Sequence, residues 1–197
     1  MQNKPRIIGV TGGSGVGKGE VCRVLAGLGT DVLIIDADRV AHGVILAGKP
    51  AYDKVLVAFG DGILGDDGEI ARKKLGAIVF ADKAQLSILS DIVHKYVRKE
   101  CEDIVAANPD RVIVIDAAAL VEGDMIGDCD VVIGVFAEHD LRAKRISVRD
   151  HISLDAAKQR IASQMADDVL RGHVDVVVEN SGTLEELREK VRKLGIL

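Results

Sequence analysis

The stretch Gly9-Val10-Thr11-Gly12-Gly13-Ser14-Gly15-Val16-Gly17-Lys18 decides the fold of this chain. It joins a short Val/Ile-rich run to an amphipathic stretch, which predicts a strand, a glycine-rich turn and a helix. Its last seven residues satisfy G-x-x-x-x-G-K, the start of a phosphate-binding loop (P-loop). Glycine lets backbone N–H groups converge on phosphate oxygens, and the lysine reaches the β- and γ-phosphates. The alternative, a glycine-rich turn with an exposed lysine, is disfavoured by the strand and helix on either side.

The eighth position of this motif departs from the pattern. A serine or threonine usually stands there and its hydroxyl ligates Mg²⁺, but this chain has Gly19 followed by Glu20. Either other acidic residues hold the metal through water, or this chain binds nucleotide with weakened catalysis. The sequence leaves both interpretations open.

Five Val/Ile-rich runs predict buried strands. Their apolar residues are nearly continuous rather than alternating, which is typical of a parallel sheet covered on both faces. The runs are 6–11, 32–36, 112–116, 131–137 and 174–178. Helical periodicity between them, clearest over 83–107, predicts an α/β fold with three layers around a five-stranded parallel sheet.

The spacing of the strands predicts how the chain is organised. The interval between the second and third strands is far longer than one crossover helix needs, which indicates a helical insertion. A second polar helical stretch separates the last two strands. We therefore expect a single domain with a core formed by 1–37, 108–137 and 172–197, an insertion at 38–107 and a lid region at 138–171.

Composition excludes several classes of protein. The chain has 197 residues, of which 48% are apolar and 3% aromatic, and its formal charge is −5. Its longest apolar runs are too short to span a bilayer, and its start does not resemble a signal peptide. The acidic balance and scarce aromatics argue against nucleic acid as partner. Scattered cysteines without a C-x-x-C pair argue against a disulfide framework or zinc site, so we expect a soluble, cytoplasmic protein.

Acidic residues stand where predicted strands end. Asp36 and Asp38 follow the second strand, and Asp116 ends the third, in the form of a Walker B acid. The carboxyl ends of parallel strands line the ligand crevice, so these carboxylates should face the phosphate loop. One could orient or deprotonate an attacking hydroxyl and another could support a metal–water shell. The alternatives are a helix-capping aspartate and a plain strand-end acid.

Basic residues are concentrated in the predicted lid region. Arg142, Lys144, Arg145 and Arg149 lie within eight residues that contain no acid, and Arg160 follows. Three of these arginines share one helix face by their spacing. An arginine-bearing lid is a recurrent means of neutralising the charge of a transferring phosphoryl group. The alternative is a solvated helix face.

A second glycine motif is interpreted as a turn. Gly60-Asp61-Gly62-Ile63-Leu64-Gly65 matches the dinucleotide-binding pattern G-x-G-x-x-G. It follows a helical segment instead of a strand, so the structural context that the pattern requires is missing.

Taken in order along nearly the whole chain, these residues resemble the dephospho-CoA kinase family. The resemblance rests on the P-loop, on Asp36-Ala37-Asp38 with Val40-Ala41-His42, and on a series of shorter matches. These matches are Phe59-Gly60, Asp67-Gly68-Glu69, the stretch 75–80, His94, Asp116 with Leu120 and Glu122, Arg145, Arg149, Arg160, Gln164 and Asn180-Ser181-Gly182.

The resemblance implies a P-loop kinase fold. It also implies transfer of the ATP γ-phosphate to the 3′-hydroxyl of the dephospho-CoA ribose, with ATP and Mg²⁺ as cofactors. By it, Asp38 is the base, and Lys18, Arg145 and Arg149 complete the catalytic set. The implied ATP-binding residues are Gly13, Ser14, Gly15, Val16, Gly17, Lys18, Gly19, Glu20, Asn180 and Gly182. The implied substrate-binding residues are Asp38, His94, Asp116 and Leu120, and the implied metal residues, acting through water, are Asp36 and Asp116.

The chain also departs from the family's usual residues. Besides Gly19 and Glu20, Lys95 stands where proline usually follows His94, and Asp116-Ala117-Ala118 lacks a proline. Two other functions stay open: a P-loop small-molecule kinase with a different acceptor, and a catalytically weakened nucleotide- or CoA-binding module. The sequence does not indicate an oligomeric state.

Overall fold

The computed structural model describes residues 5–29 and 31–196. The N-terminal residues 1–4, on which the signal-peptide prediction rests, lie outside the described residues. The described strands are β1 (Ile7–Thr11), β2 (Val32–Asp36), β3 (Val112–Asp116), β4 (Val131–Phe136) and β5 (Val176–Glu179). The helices are α1 (Lys18–Leu28), α2 (Ala37–Val44), α3 (Pro50–Phe59), α4 (Arg72–Val79), α5 (Lys83–Ala106), α6 (His139–Asp150), α7 (Leu154–Ala162), α8 (Asp167–Arg171) and α9 (Leu184–Lys193).

The five strands form one parallel sheet in the order β2-β3-β1-β4-β5. This confirms the predicted α/β fold class. The last strand begins at Val176, two residues later than its apolar run. Before it, Asp175 pairs with β4 partly through its side chain, because its carboxylate accepts from the Val132 N–H at 2.8 Å.

Strand β1 occupies the middle of the sheet, and all five of its residues are buried. Helices α1 and α9 pack together, and their apolar residues share one core with the sheet. A capping box starts α9, where Thr183 and Glu186 satisfy each other's backbone N–H groups. The central position of β1 directs its C-terminal loop to the edge where parallel sheets bind ligands.

The chain forms two compact units. The first contains the sheet with α1 and α6–α9. In it α6 packs on α7 through a small apolar cluster made of Ala143, Ile146, Ala157 and Ile161.

The second unit comprises Ala37–Ala107 with Glu122–Asp124. Helices α2, α3 and α4 pack on the long helix α5. The core of this second unit consists of Val55, Ile63, Ile70, Leu75 and Val79. The 3₁₀ turn Asp61–Ile63 follows α3 directly, which confirms that the second glycine motif is a turn. In the described ranges, no helix combines the length and the hydropathy needed to cross a membrane.

Candidate active site

The P-loop joins β1 to α1, as its sequence predicts. Gly15 and Gly17 have φ angles of 79° and 98°, a region that side chains with a Cβ rarely adopt. Gly17 is the residue before α1, so the loop ends at a helix N-terminus. The Nζ of Lys18, the first residue of that helix, donates to the carbonyl of Gly12 at 3.0 Å. The partial positive charge of the helix end and this ammonium group both favour an anion at the loop.

Three successive carbonyl groups of the loop are held by side chains from distant parts of the first unit. The contacts are Arg142 Nε to Ser14 O at 3.0 Å, Arg145 Nη1 to Gly15 O at 3.2 Å and Asn180 Nδ2 to Val16 O at 2.7 Å. In a trans peptide the C=O and the following N–H point in opposite directions. Because the carbonyls are tied back, the N–H groups of the next residues face away from these side chains. That arrangement presents amides to phosphate oxygens.

Two glycines of the loop also make room for those side chains. A Cβ on Gly13 would overlap Nη2 of Arg142, and a Cβ on Gly17 would overlap Nδ2 of Asn180. Asn180 is buried and lies directly after β5, where its own N–H donates to Phe136 O at 2.7 Å. The glycine pattern therefore serves the packing of the loop as well as its backbone conformation.

Two acidic residues lie side by side at the ends of adjacent strands. Asp36 and Asp116 are the last residues of β2 and β3 and are partners in the parallel register. The thiol of Cys22, which is buried in α1 one turn after Lys18, donates a hydrogen bond to Asp116. Burial, and then the negative charge of Asp116, raises the pKa of Cys22, so the thiol keeps its proton beside that carboxylate.

This pair of carboxylates fits a magnesium ion that arrives with a triphosphate. Among the residues that the structure describes, no three His, Cys, Asp or Glu side chains are grouped to hold an ion. Mg²⁺ in phosphoryl-transfer sites is commonly bound by one or two carboxylates, by water and by the phosphates of the substrate. Asp36 and Asp116 could supply that share, and Gly19 offers space for the missing hydroxyl, because a Cβ there would meet nothing within 4 Å.

Two predicted site residues belong to the helical unit. Asp38 is the second residue of α2, and His94 lies in the middle of α5. The roles predicted for both side chains stay predictions.

Other predicted site residues are engaged within the first unit. Leu120 is fully buried and packs against Gly9. The carboxylate of Glu20 accepts from Nε of Arg188 at 2.8 Å and pairs with Arg23. The hydrogen bond from Arg188 is the main reason that the pKa of Glu20 is lowered. Glu20 therefore ties α1 to α9.

The basic cluster divides into different environments. Arg142 is 1% exposed, unlike a solvated helix face. Arg145 donates to Asn180 O at 3.2 Å as well as to the loop, and burial lowers its pKa. Arg149 and Arg160 both pair with Asp150 at the end of α6. Hydrogen bonds from these arginines, first from Arg149, lower the pKa of Asp150 to about 2.

Sequence reasoning missed two residues of this site. Asp167 pairs with Arg142, at 3.0 Å, but nothing in its local sequence distinguishes it from other acids of the lid region. Cys22 had a usable signal, because it follows Lys18 by four residues and so shares its helix face. Gln164 was named only through the family resemblance, and it binds Ser14.

Comparison with known proteins identifies the family. The model of the dephospho-CoA kinase family matches residues 6–186. A dephospho-CoA kinase of Carboxydothermus hydrogenoformans is 40% identical over 189 residues, covering 94% of this chain and 90% of the relative. One from Leifsonia xyli subsp. xyli is 39% identical and covers 96% of each chain. A solved dephospho-CoA kinase from Campylobacter jejuni has a TM-score of 0.67 at 25% identity, covering 95% of this chain and 94% of the other. The chain therefore belongs to the dephospho-CoA kinase family.

Proposed function

We propose that this protein transfers the γ-phosphate of ATP to the ribose 3′-hydroxyl of dephospho-CoA, giving coenzyme A and ADP, the last step of coenzyme A synthesis. The observation that carries the proposal is the family match over residues 6–186, which contains the P-loop, the strand-end acids and Asn180. The loop geometry supports it, because the carbonyls of Ser14, Gly15 and Val16 are held by side chains and the amides that follow them are left for phosphate.

In this proposal Asp38 is the base. The 3′-hydroxyl oxygen forms a bond to the γ-phosphorus while the bond from that phosphorus to the β,γ-bridging oxygen breaks, and ADP leaves. The proton of the hydroxyl passes to the Asp38 carboxylate. Lys18 and the loop amides hold the ATP phosphates, and Arg145 and Arg149 neutralise the charge on the transferring group.

The parts of the chain have separate roles in the proposal. The core at 1–37, 108–137 and 172–197 binds ATP, with Asn180 and Gly182 beside the adenine. The helical insertion at 38–107, together with Asp116, receives dephospho-CoA, and His94 contacts it. Leu120, which is fully buried, supports this site from the core. Residues 138–171 form the lid. The protein works in the cytoplasm.

Magnesium enters the proposal with ATP. Asp36 and Asp116 would hold it through water, and when bound it neutralises the charge on the β- and γ-phosphates. Their common register position and the Cys22 hydrogen bond support this assignment.

The deciding experiment is ADP release from Mg-ATP with and without dephospho-CoA. We expect turnover that requires dephospho-CoA and yields one ADP per coenzyme A. Turnover with another alcohol and none with dephospho-CoA would contradict this proposal. The protein would then be a P-loop kinase that phosphorylates a different acceptor.

One specific feature favours a second candidate function. Gly19 removes the hydroxyl that normally ligates the metal, which would suit a nucleotide- or CoA-binding module with little catalysis. Tight ATP binding without turnover in the same assay would establish that function instead.

A further inference from the structure

All the polar groups of Ser14 are engaged by side chains that follow β4. Its N–H donates to Oε1 of Gln164 at 2.9 Å, and its hydroxyl oxygen accepts from Nε2 of the same residue at 3.1 Å. Its carbonyl accepts from Nε of Arg142 at 3.0 Å. The segment from α6 to α8 therefore holds the P-loop at Ser14.

Every nitrogen of the Arg142 guanidinium has a partner. Nε binds Ser14, Nη1 binds both carboxylate oxygens of Asp167 at 3.0 and 3.1 Å, and Nη2 binds Gln164 Oε1 at 3.2 Å. The side chain is 1% exposed, so its charge depends on Asp167 for compensation. Because each of its guanidinium nitrogens is already bonded within the protein, Arg142 differs from a lid arginine, which must offer its N–H donors to ATP.

The loop is shaped to receive this guanidinium. A Cβ on Gly13 would collide with Nη2 of Arg142, and a Cβ on Gly15 would lie 2.8 Å from the Arg142 carbonyl. Glycine at these two positions thus lets α6 approach the loop backbone. The planar guanidinium of arginine can donate hydrogen bonds to Ser14, Gln164 and Asp167 together. A lysine ammonium cannot donate to three acceptors that lie in one plane.

We infer that Arg142, held by Asp167, is a positioning residue of the P-loop that acts on ATP binding through Ser14, together with Gln164. This inference rests on the proposed function in that the phosphates concerned are those of ATP. Arg142 touches no phosphate itself. It holds the Ser14 peptide so that the amides after it keep the orientation that phosphate needs, and its loss should weaken ATP and ADP binding without weakening dephospho-CoA binding.

The test compares matched acid-to-amide variants. Asp167→Asn removes the partner of Arg142, while Asp140→Asn, the control, breaks an exposed 3.6 Å pair between α6 and α7 with Lys158. Gln164→Met removes the other two hydrogen bonds to Ser14 without changing any charge. Calorimetric titration with ATP, with ADP and separately with dephospho-CoA gives the affinities, and a thermal melt confirms that each variant is folded.

We expect Asp167→Asn and Gln164→Met to weaken ATP and ADP binding by about tenfold, the effect of losing a charge-assisted or buried hydrogen bond. Dephospho-CoA affinity should change by less than about twofold, as should every affinity of the control, because an exposed ion pair contributes little. Arg142→Lys keeps the charge beside Asp167 but not the fork, so it should stay folded and still bind ATP weakly.

Several results would overturn the inference. They are unchanged ATP affinity in folded Gln164→Met, full ATP affinity in Arg142→Lys, equal losses for ATP and dephospho-CoA, or a wild-type protein that binds no ATP. If Asp167→Asn unfolds, the other two variants decide. Calorimetry needs no turnover, so wild-type protein that binds ATP without phosphorylating dephospho-CoA would end the proposed function and leave this inference standing.

Discussion

Replacing Gly19 by serine tests how the metal is held. Gly19 is the second residue of α1, its φ is not positive, and a Cβ there meets nothing within 4 Å. Serine therefore fits without displacing a neighbour. Its hydroxyl would stand at the position where P-loops supply a magnesium ligand.

The size of the effect can be divided into a helix part and a ligand part. Glycine is less favourable than alanine in a helix by ~1 kcal/mol, and serine recovers about half of that. For a chain of this size, Gly19→Ala should raise the melting temperature by about 2–4 °C and Gly19→Ser by less. A contact to a charged group is worth about 1.5–3 kcal/mol. If it forms only in the transition state, this corresponds to a rate increase of about 10- to 150-fold.

The assay is dephospho-CoA-dependent ADP release over a range of Mg²⁺ concentrations, with Gly19→Ala as the matched control. We expect Gly19→Ser to turn over faster than both wild type and the alanine variant at saturating Mg²⁺. If the hydroxyl contacts the metal already before the transition state, part of the effect will instead be seen as half-maximal rate at lower Mg²⁺. Equal rates for the serine and alanine variants would refute this reasoning, since the carboxylates would then hold the metal without a hydroxyl.

Three further predictions concern the base, the loop and the acid side of the pH range. Asp38→Asn should lower turnover far more than ATP affinity, and equal losses in kinetics and titration would argue against its role as base. Asn180→Ala leaves the buried carbonyl of Val16 without its 2.7 Å hydrogen bond, so ATP affinity should fall by about 5- to 30-fold. Titration of that variant with ATP is the measurement, and unchanged affinity would contradict the role of the loop carbonyls. The pKa of Asp150 lies below its ordinary value of 3.8, at about 2, so its ion pairs stabilise the fold above pH 3.8 and this contribution disappears as the pH falls towards 2. In denaturant titrations, Asp150→Asn should therefore lose less stability than wild type over that interval, and parallel curves would contradict this.

Local sequence patterns were sufficient to predict the strand–loop–helix unit. The Val/Ile run before Gly12 and the helical periodicity after Lys18 depend on neighbouring residues, so the P-loop and the parallel strands could be predicted. The positions of Asp36 and Asp116 at strand ends followed from the same patterns. Their exact register across β2 and β3 required the sheet itself.

The contacts that shape the loop could not be found in this way, because they join residues far apart in the chain. Gln164 and Asn180 bind residues 150 and 164 positions away, and no local pattern carries such pairings. Helical spacing places Arg142 on one face of α6 with Arg145 and Arg149, but spacing does not say what faces that side.

The sequence by itself determined that this protein has a phosphate loop at the end of a parallel strand, since glycine freedom and apolar runs are local properties. Only the tertiary structure decided which arginine is buried. Packing of α6 against the loop took Arg142 out of water, and a buried charge must be paired, so Asp167 and Ser14 became its partners.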